Sequence, residues 1–198
     1  MKPHPRTVLH EAAHVLTLRH AFGPVVTGVT FEPDDPDYTA IVSFVDPLAA
    51  EDSPPSDGFL AAVVAVAGDA AVHAFMPDEA AAAPTGTDRS RVLEGYAHAG
   101  GPPYLRTFRR FYKAAWRTAH RLLVAHATEL HEIAAHLETH GAPPTEYLHP
   151  LTVAEARMRE VKARVADLER MAPIVDAVSA FRRPDPRTRF DAAPGRWM

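Results

Sequence analysis

The chain has 198 residues, of which 46% are hydrophobic and 23% are charged, and its formal net charge is −4. This length and composition fit one sizeable domain with a buried core, or one domain with an appendage, and they exclude a disordered polyelectrolyte. Cysteine is absent, which excludes disulfide scaffolds and cysteine-ligated zinc or iron–sulfur sites, so any metal must be held by His, Asp or Glu.

No segment has the pattern of a secretion or membrane signal. Residues 1–20 carry His, Glu and Arg where a signal peptide would carry an apolar core. The most apolar run, residues 59–67, is shorter than the roughly 20 residues that a membrane span needs. We therefore expect a cytoplasmic chain with no membrane span. Its first half is acidic and its second half is basic, so nucleic acid is not expected as a partner.

The first half of the chain predicts a helix, a strand pair and a second helix. Apolar residues recur at helical spacing over residues 6–21, and Gly23 followed by proline is a typical stop signal. β-Branched residues predict strands over residues 25–32 and 38–45, separated by a turn rich in Pro and Asp, so we expect an antiparallel pair. Residues 58–75 are apolar nearly all round, which predicts one central helix.

Helices are predicted for the second half as well. A short helix is expected over residues 88–97 with Thr87 as its N-cap, and residues 105–140 predict one long helix or two in tandem. A further helix over residues 152–171 carries an apolar seam of heptad spacing, which favours packing on the chain's own helices over a coiled-coil dimer. The long segment also has a basic stripe, predicted to be a solvated face rather than a docking surface, formed by Arg106, Arg110, Lys113, Arg117 and Arg121.

The predicted first helix contains the motif H-E-x-x-H, with His10, Glu11 and His14 at its defining positions. Residues four apart lie on one helical face about one turn apart, so both imidazoles can reach one Zn²⁺ ion. Glu11 would stand beside that metal, where a carboxylate can take a proton from water. The extended zincin pattern fails because Thr17 stands in place of its glycine, so the third ligand must come from elsewhere in the chain.

The segment from Thr7 to His14 resembles the zinc helix of the peptidase domain of FtsH-type ATP-dependent metalloproteases, in which the motif usually reads H-E-A-G-H. Residues 67–71 resemble the small-residue helix of that family, and residues 85–88 resemble its T-G-x-D segment. The similarity covers residues 6–148 in the family's order and includes a strand after the zinc helix and a long late helix.

The resemblance implies a mainly α zinc-metallopeptidase domain over residues 1–148 with a small β element of two or three strands. Residues 149–183 would form a C-terminal helical extension, and residues 184–198 a flexible tail. By the same resemblance, Asp88 is the third metal ligand beside the two histidines of the motif, and Glu11 is the catalytic base.

The implied activity is that of a zinc metalloendopeptidase that hydrolyses flexible or unfolded proteins by means of a zinc-activated water. The sequence shows neither the AAA ATPase module nor the membrane spans of the family, so we expect this activity to be ATP-independent in this chain. A separate ATPase or regulatory partner and a homo-oligomer stay open as alternatives. We also expect the strand over residues 38–45 to pair with the extended backbone of a substrate.

Two other functions stay open, and a departure from the family pattern together with the missing ATPase module favours the first of them. Val72 stands where the family has a glutamate, and Asp69, the nearest acid, has a less favourable register on the predicted buried helix. The first alternative is a metal-binding regulatory or interaction protein without proteolytic activity. The second is a zinc-dependent regulator that cleaves one repressor, like the small phage-type metallopeptidases, in which a glutamate would replace Asp88 as a ligand.

Overall fold

The structure is a computed structural model that describes residues 3–31, 40–79 and 86–153. Within these ranges the fold is mainly helical with one antiparallel strand pair, as the sequence predicts. The elements in chain order are α1 (Pro5–Phe22), β1 (Val26–Phe31), β2 (Ala40–Phe44), α2 (Pro55–Ala65), α3 (Ala67–Phe75), α4 (Gly86–His98), α5 (Leu105–Ala125) and α6 (Ala127–His140). Short 3₁₀ turns occur at Pro47–Ala49, Pro77–Glu79 and Thr145–Tyr147.

The helix α1, which carries the H-E-x-x-H motif, is buried along most of its length. Pro5 at its first position suits a helix start because its missing N–H would have no partner there. The helix ends at Gly23, whose φ of 82° is rarely adopted by residues with a Cβ and whose N–H donates to the carbonyl of Arg19. Core residues cover most of the circumference of its middle turns, apart from the face that carries His10 and His14: Val8, Leu9, Ala12, Ala13, Val15, Leu16 and Leu18.

The strands β1 and β2 form the predicted antiparallel pair, with Val29 opposite Val42 in the register. On its other side β1 contacts the chain that follows α6: Val26 pairs with Leu148, and the N–H of His149 donates to the carbonyl oxygen of Val26 at 2.7 Å. Among the described residues, β2 therefore has one edge without a strand neighbour.

The prediction of one continuous helix over residues 58–75 is wrong. The structure has two helices there, α2 and α3, separated at Val66 by a bend of 40°. Val66 is itself apolar and 1% exposed. The hydrophobic pattern of the sequence therefore continues across this position and does not indicate a helix end. The bend allows α2 to pack on α4 while α3 packs on α1 and α5.

The predicted long helical segment proves to be two helices in tandem, α5 and α6, separated at His126, whose φ of −113° and ψ of 32° depart from helical values. The short helix expected at residue 88 begins at Gly86, so Thr87 lies inside its first turn and the predicted N-cap is wrong.

The basic stripe of α5 is exposed throughout, whereas the opposite face contributes Ala115, Ala119 and Leu123 to the core.

No single helix in the described part of the chain is long and apolar enough to cross a membrane, although the bent pair α2–α3, taken together, meets that test. The contacts of the chain up to Val153 define one compact unit. The helix predicted over residues 152–171, with its apolar seam, lies outside the described residues except for its first two positions. The predicted extension over residues 149–183 lies outside the described residues from residue 154 onward. The predicted tail over residues 184–198 lies outside them entirely.

Candidate metal centre

The two histidines of the motif project from the same face of α1, as their spacing predicts. The Nε2 atoms of His10 and His14 lie 3.0 Å apart, and their rings meet close to edge-on at 70°. Both side chains are largely shielded from solvent, with 15% and 10% of their surfaces exposed. The core therefore holds both imidazoles next to each other with limited access for water.

Asp88 brings a carboxylate to this pair from the first turn of α4. Its Oδ2 lies 3.4 Å from Nε2 of His10, and its Oδ1 lies 3.8 Å from Nε2 of His14. One donor atom from each of the three residues lies within 4.8 Å of the others, a group that could hold a metal ion. The structure thus brings together the three residues that the motif and the family resemblance name as ligands.

Each imidazole has an oxygen neighbour on the far side of its ring. Nδ1 of His14 lies 2.9 Å from the carbonyl oxygen of Val64 in the last turn of α2. Because a carbonyl can only accept a hydrogen bond, this contact places the proton of His14 on Nδ1 and leaves the lone pair of Nε2 facing Asp88. Nδ1 of His10 lies 3.7 Å from Oδ1 of Asp69, whose charge favours a proton on that same nitrogen.

This donor set fits a divalent ion of the zinc type. Imidazole nitrogen and carboxylate oxygen are zinc ligands, and donors bound at about 2.0–2.1 Å to a tetrahedral ion lie roughly 3.3 Å apart. The two Nε2 atoms lie 3.0 Å apart. The carboxylate of Asp88 approaches them with a different oxygen each, Oδ2 at 3.4 Å from His10 and Oδ1 at 3.8 Å from His14, so these contacts are close to the expected spacing. Three protein ligands would leave a fourth position open, as in catalytic zinc sites.

Glu11 lies beside this group and is buried, with only 6% of its surface exposed. Burial raises the pKa of its carboxyl above the ordinary value, and Asp88 raises it further while His14 opposes the shift. Burial also raises the pKa of Asp69, whose Oδ2 is buried without a hydrogen-bond partner in the described part of the chain. A bound cation would offset the negative charge of these desolvated carboxyl groups.

Gly68 of α3 lies directly against the ring of His10. A Cβ on Gly68 would overlap the imidazole atoms, so glycine is required for this close approach. The next residue, Asp69, thereby reaches His10, although its predicted register disfavoured it. That prediction is wrong because α3 packs close enough to α1 at Gly68 for the Asp69 carboxylate to lie 3.7 Å from Nδ1 of His10. Val72, at the position of the family's glutamate, lies in the core with 2% of its surface exposed.

The centre opens into a cleft of 1360 Å³. Asp46, which follows β2, pairs with Arg91 of α4 at 3.0 Å, and the Arg91 guanidinium lies 5.5 Å from the centre of the Phe44 ring. These contacts tie the end of β2 to the helix that carries Asp88. The lining of the cleft includes the predicted site residues and four residues of β2: His10, Glu11, His14, Asp88, Ala40, Ile41, Val42 and Phe44.

Comparisons of this chain with protein-family models, with curated proteins and with solved structures found no match.

Proposed function

We propose that the chain is a zinc-dependent metalloendopeptidase that hydrolyses peptide bonds of flexible or unfolded proteins. The observation that carries this proposal is the convergence of His10, His14 and Asp88 at a cleft that Glu11 also lines. The resemblance of the sequence to FtsH-type peptidase domains implies the same roles for these four residues. Hydrolysis needs no nucleotide in this proposal, because none of the four residues depends on an ATPase module for its position.

His10, His14 and Asp88 would hold the metal through the two Nε2 atoms and the carboxylate. When bound, Zn²⁺ supplies Lewis-acid polarisation and lowers the pKa of a coordinated water to about 7. The carbonyl of Val64 and the carboxylate of Asp69 keep both rings turned so that Nε2 faces the centre.

Glu11 would act first as a general base and then as a general acid. Its carboxylate accepts a proton from the attacking water while the new C–O bond forms on the peptide carbonyl. The same proton passes to the amine nitrogen as the C–N bond breaks, so Glu11 ends the cycle ionised. The buried middle of α1 restricts the movement of this side chain, which favours such transfers over short distances.

The strand β2 would bind the substrate backbone in an extended conformation. Its edge away from β1 has no strand neighbour among the described residues, and four of its residues line the cleft. Adding a strand to a sheet edge requires a chain that is already extended, so flexible or unfolded segments are the substrates that fit.

The substitution Glu11→Gln tests this proposal, because it keeps the shape of the side chain and removes its ability to accept a proton. We expect zinc-loaded Glu11→Gln to cleave a fluorescently labelled unfolded protein about a hundredfold more slowly than the wild type, or not at all. Its zinc content should equal that of the wild type. The matched control is Glu132→Gln on the exposed face of α6, which should cleave at the wild-type rate.

A second candidate function is favoured by Val72, whose buried apolar side chain stands where the family has a glutamate. It is a metal-binding regulatory or interaction protein without proteolytic activity. Zinc binding with no cleavage, or with equal cleavage by wild type and Glu11→Gln, would exclude the peptidase and support this candidate. A wild-type chain that binds no zinc would exclude both.

A further inference from the structure

A second group of metal-binding side chains lies near the other end of α1. His20 is in the last turn of α1, His126 stands at the break between α5 and α6, and Glu129 is in the first turn of α6. Oε2 of Glu129 lies 3.1 Å from Nδ1 of His126 and 3.5 Å from Nε2 of His20. One donor atom from each residue lies within 4.8 Å of the others.

This cluster is separate from the first centre because α1 continues without a break to Phe22. His20 therefore lies six residues beyond His14, roughly 9 Å further along the helix axis and on a different face. The break between α5 and α6 brings His126 against it, with the two ring centroids 4.2 Å apart.

Tyr147 fixes the carboxylate of this cluster. The hydroxyl of Tyr147, a residue with 8% of its surface exposed, donates to Oε1 of Glu129 at 2.7 Å. This bond leaves Oε2 facing both imidazoles. Tyr147 thus holds the carboxylate in position from outside the cluster, as partners of the metal-ligating groups commonly do.

We propose that His20, His126 and Glu129 form a second site for a divalent ion of the zinc type, with a structural role. Two imidazole nitrogens and a carboxylate oxygen are a zinc donor set. The distances of 3.1 and 3.5 Å from Oε2 of Glu129 to Nδ1 of His126 and Nε2 of His20 bracket the roughly 3.3 Å expected around a tetrahedral ion. The three side chains are 31–37% exposed, so an ion and a water as fourth ligand can reach them from solvent. The ion would join the end of α1 to the start of α6.

Zinc stoichiometry tests this site independently of any enzymatic activity. The chelator-treated full chain is titrated with Zn²⁺ alone, and the wild type should bind two equivalents. The variants His14→Ala and His126→Ala should each bind one, and the double variant none. The matched control is His140→Ala, an exposed histidine of α6 that should leave two equivalents bound.

Glu129→Gln provides a second test in case His126→Ala disturbs the helix break. It preserves side-chain shape but weakens the oxygen donor, so it should also reduce binding to one equivalent.

In the His14→Ala background, zinc should raise the melting temperature, and the added His126→Ala change should abolish that rise. A wild-type chain that binds a single equivalent, lost in His14→Ala, would overturn the second site and leave the first intact. Two equivalents bound by both His126→Ala and Glu129→Gln would overturn it as well.

Discussion

Gly58 of α2 and Gly95 of α4 face each other where their helices cross, and the carbonyl oxygen of each fills the space that a Cβ on the other would need. This contact sets how closely α4 approaches α2. Because α4 carries Asp88 and α2 carries Val64, the crossing also sets the distance between the Asp88 carboxylate and the carbonyl oxygen that contacts His14. Two residues without side chains thus determine part of the geometry of the centre.

We therefore expect Gly95→Ala to separate the two helices and to weaken both the fold and the centre. Overpacking of this kind costs about 1–3 kcal/mol of unfolding free energy, measurable by denaturant titration. The zinc affinity should fall together with the stability. Gly28→Ala is the matched control, since nothing lies within 4 Å of a Cβ at that position. Equal stability of Gly95→Ala and Gly28→Ala would contradict the importance of the crossing.

A methyl group at Gly68 should act more locally, because it would displace the ring of His10 rather than a helix backbone. We expect Gly68→Ala to lower zinc affinity at the first centre by about tenfold or more, the scale seen when the supports of a metal ligand are lost. Isothermal titration with Zn²⁺ in a His126→Ala background would isolate that centre. If the double variant and His126→Ala alone bind zinc with equal affinity, the His10 ring has another position from which it can bind the metal.

The helix spacing of His10 and His14 was sufficient to predict that they meet, because both lie on one helix and no tertiary information is needed. Asp88 could be named only through the family resemblance, since its approach to α1 depends on the crossing of α2 and α4. The contact of Asp69 with His10 cannot be predicted from the sequence, because it depends on how closely α3 packs against α1 at Gly68.

Patterns within a single element predicted much of the fold. Gly23 marked the end of α1, and β-branched residues marked both strands, since these signals act through local backbone preferences. At His126 the sequence does not decide between one helix and two, because helical periodicity continues on both sides of the break. Contacts between elements that are distant in sequence, such as that between Tyr147 and Glu129, have no local signal at all.

The core packing of α5 gives a test in two adjacent residues. Leu123 has no exposed surface, whereas Val124 is 52% exposed. Replacing Leu123 with alanine leaves a cavity and should cost about 2–5 kcal/mol of unfolding free energy. Val124→Ala should change it by only about 0.5 kcal/mol or less. Comparable losses in the two variants would mean that α5 is rotated from the orientation described, and would place its basic stripe elsewhere.

We expect Asp69 to raise the zinc affinity of the first centre while lowering the stability of the metal-free protein. Its carboxylate is largely buried, and Oδ2 has no hydrogen-bond partner among the described residues, an arrangement that costs free energy in the absence of a cation. We expect Asp69→Asn, which has nearly the same shape, to be at least as stable as the wild type when metal-free at pH 7. Its zinc affinity at the first centre should fall by about tenfold to a hundredfold, because the neutral amide no longer stabilises the Nδ1 proton of His10.

Asp78→Asn, on the exposed turn Pro77–Glu79, should change neither the stability nor the zinc affinity. Zinc binding by Asp69→Asn that matches the wild type would show that Asp69 does not orient His10.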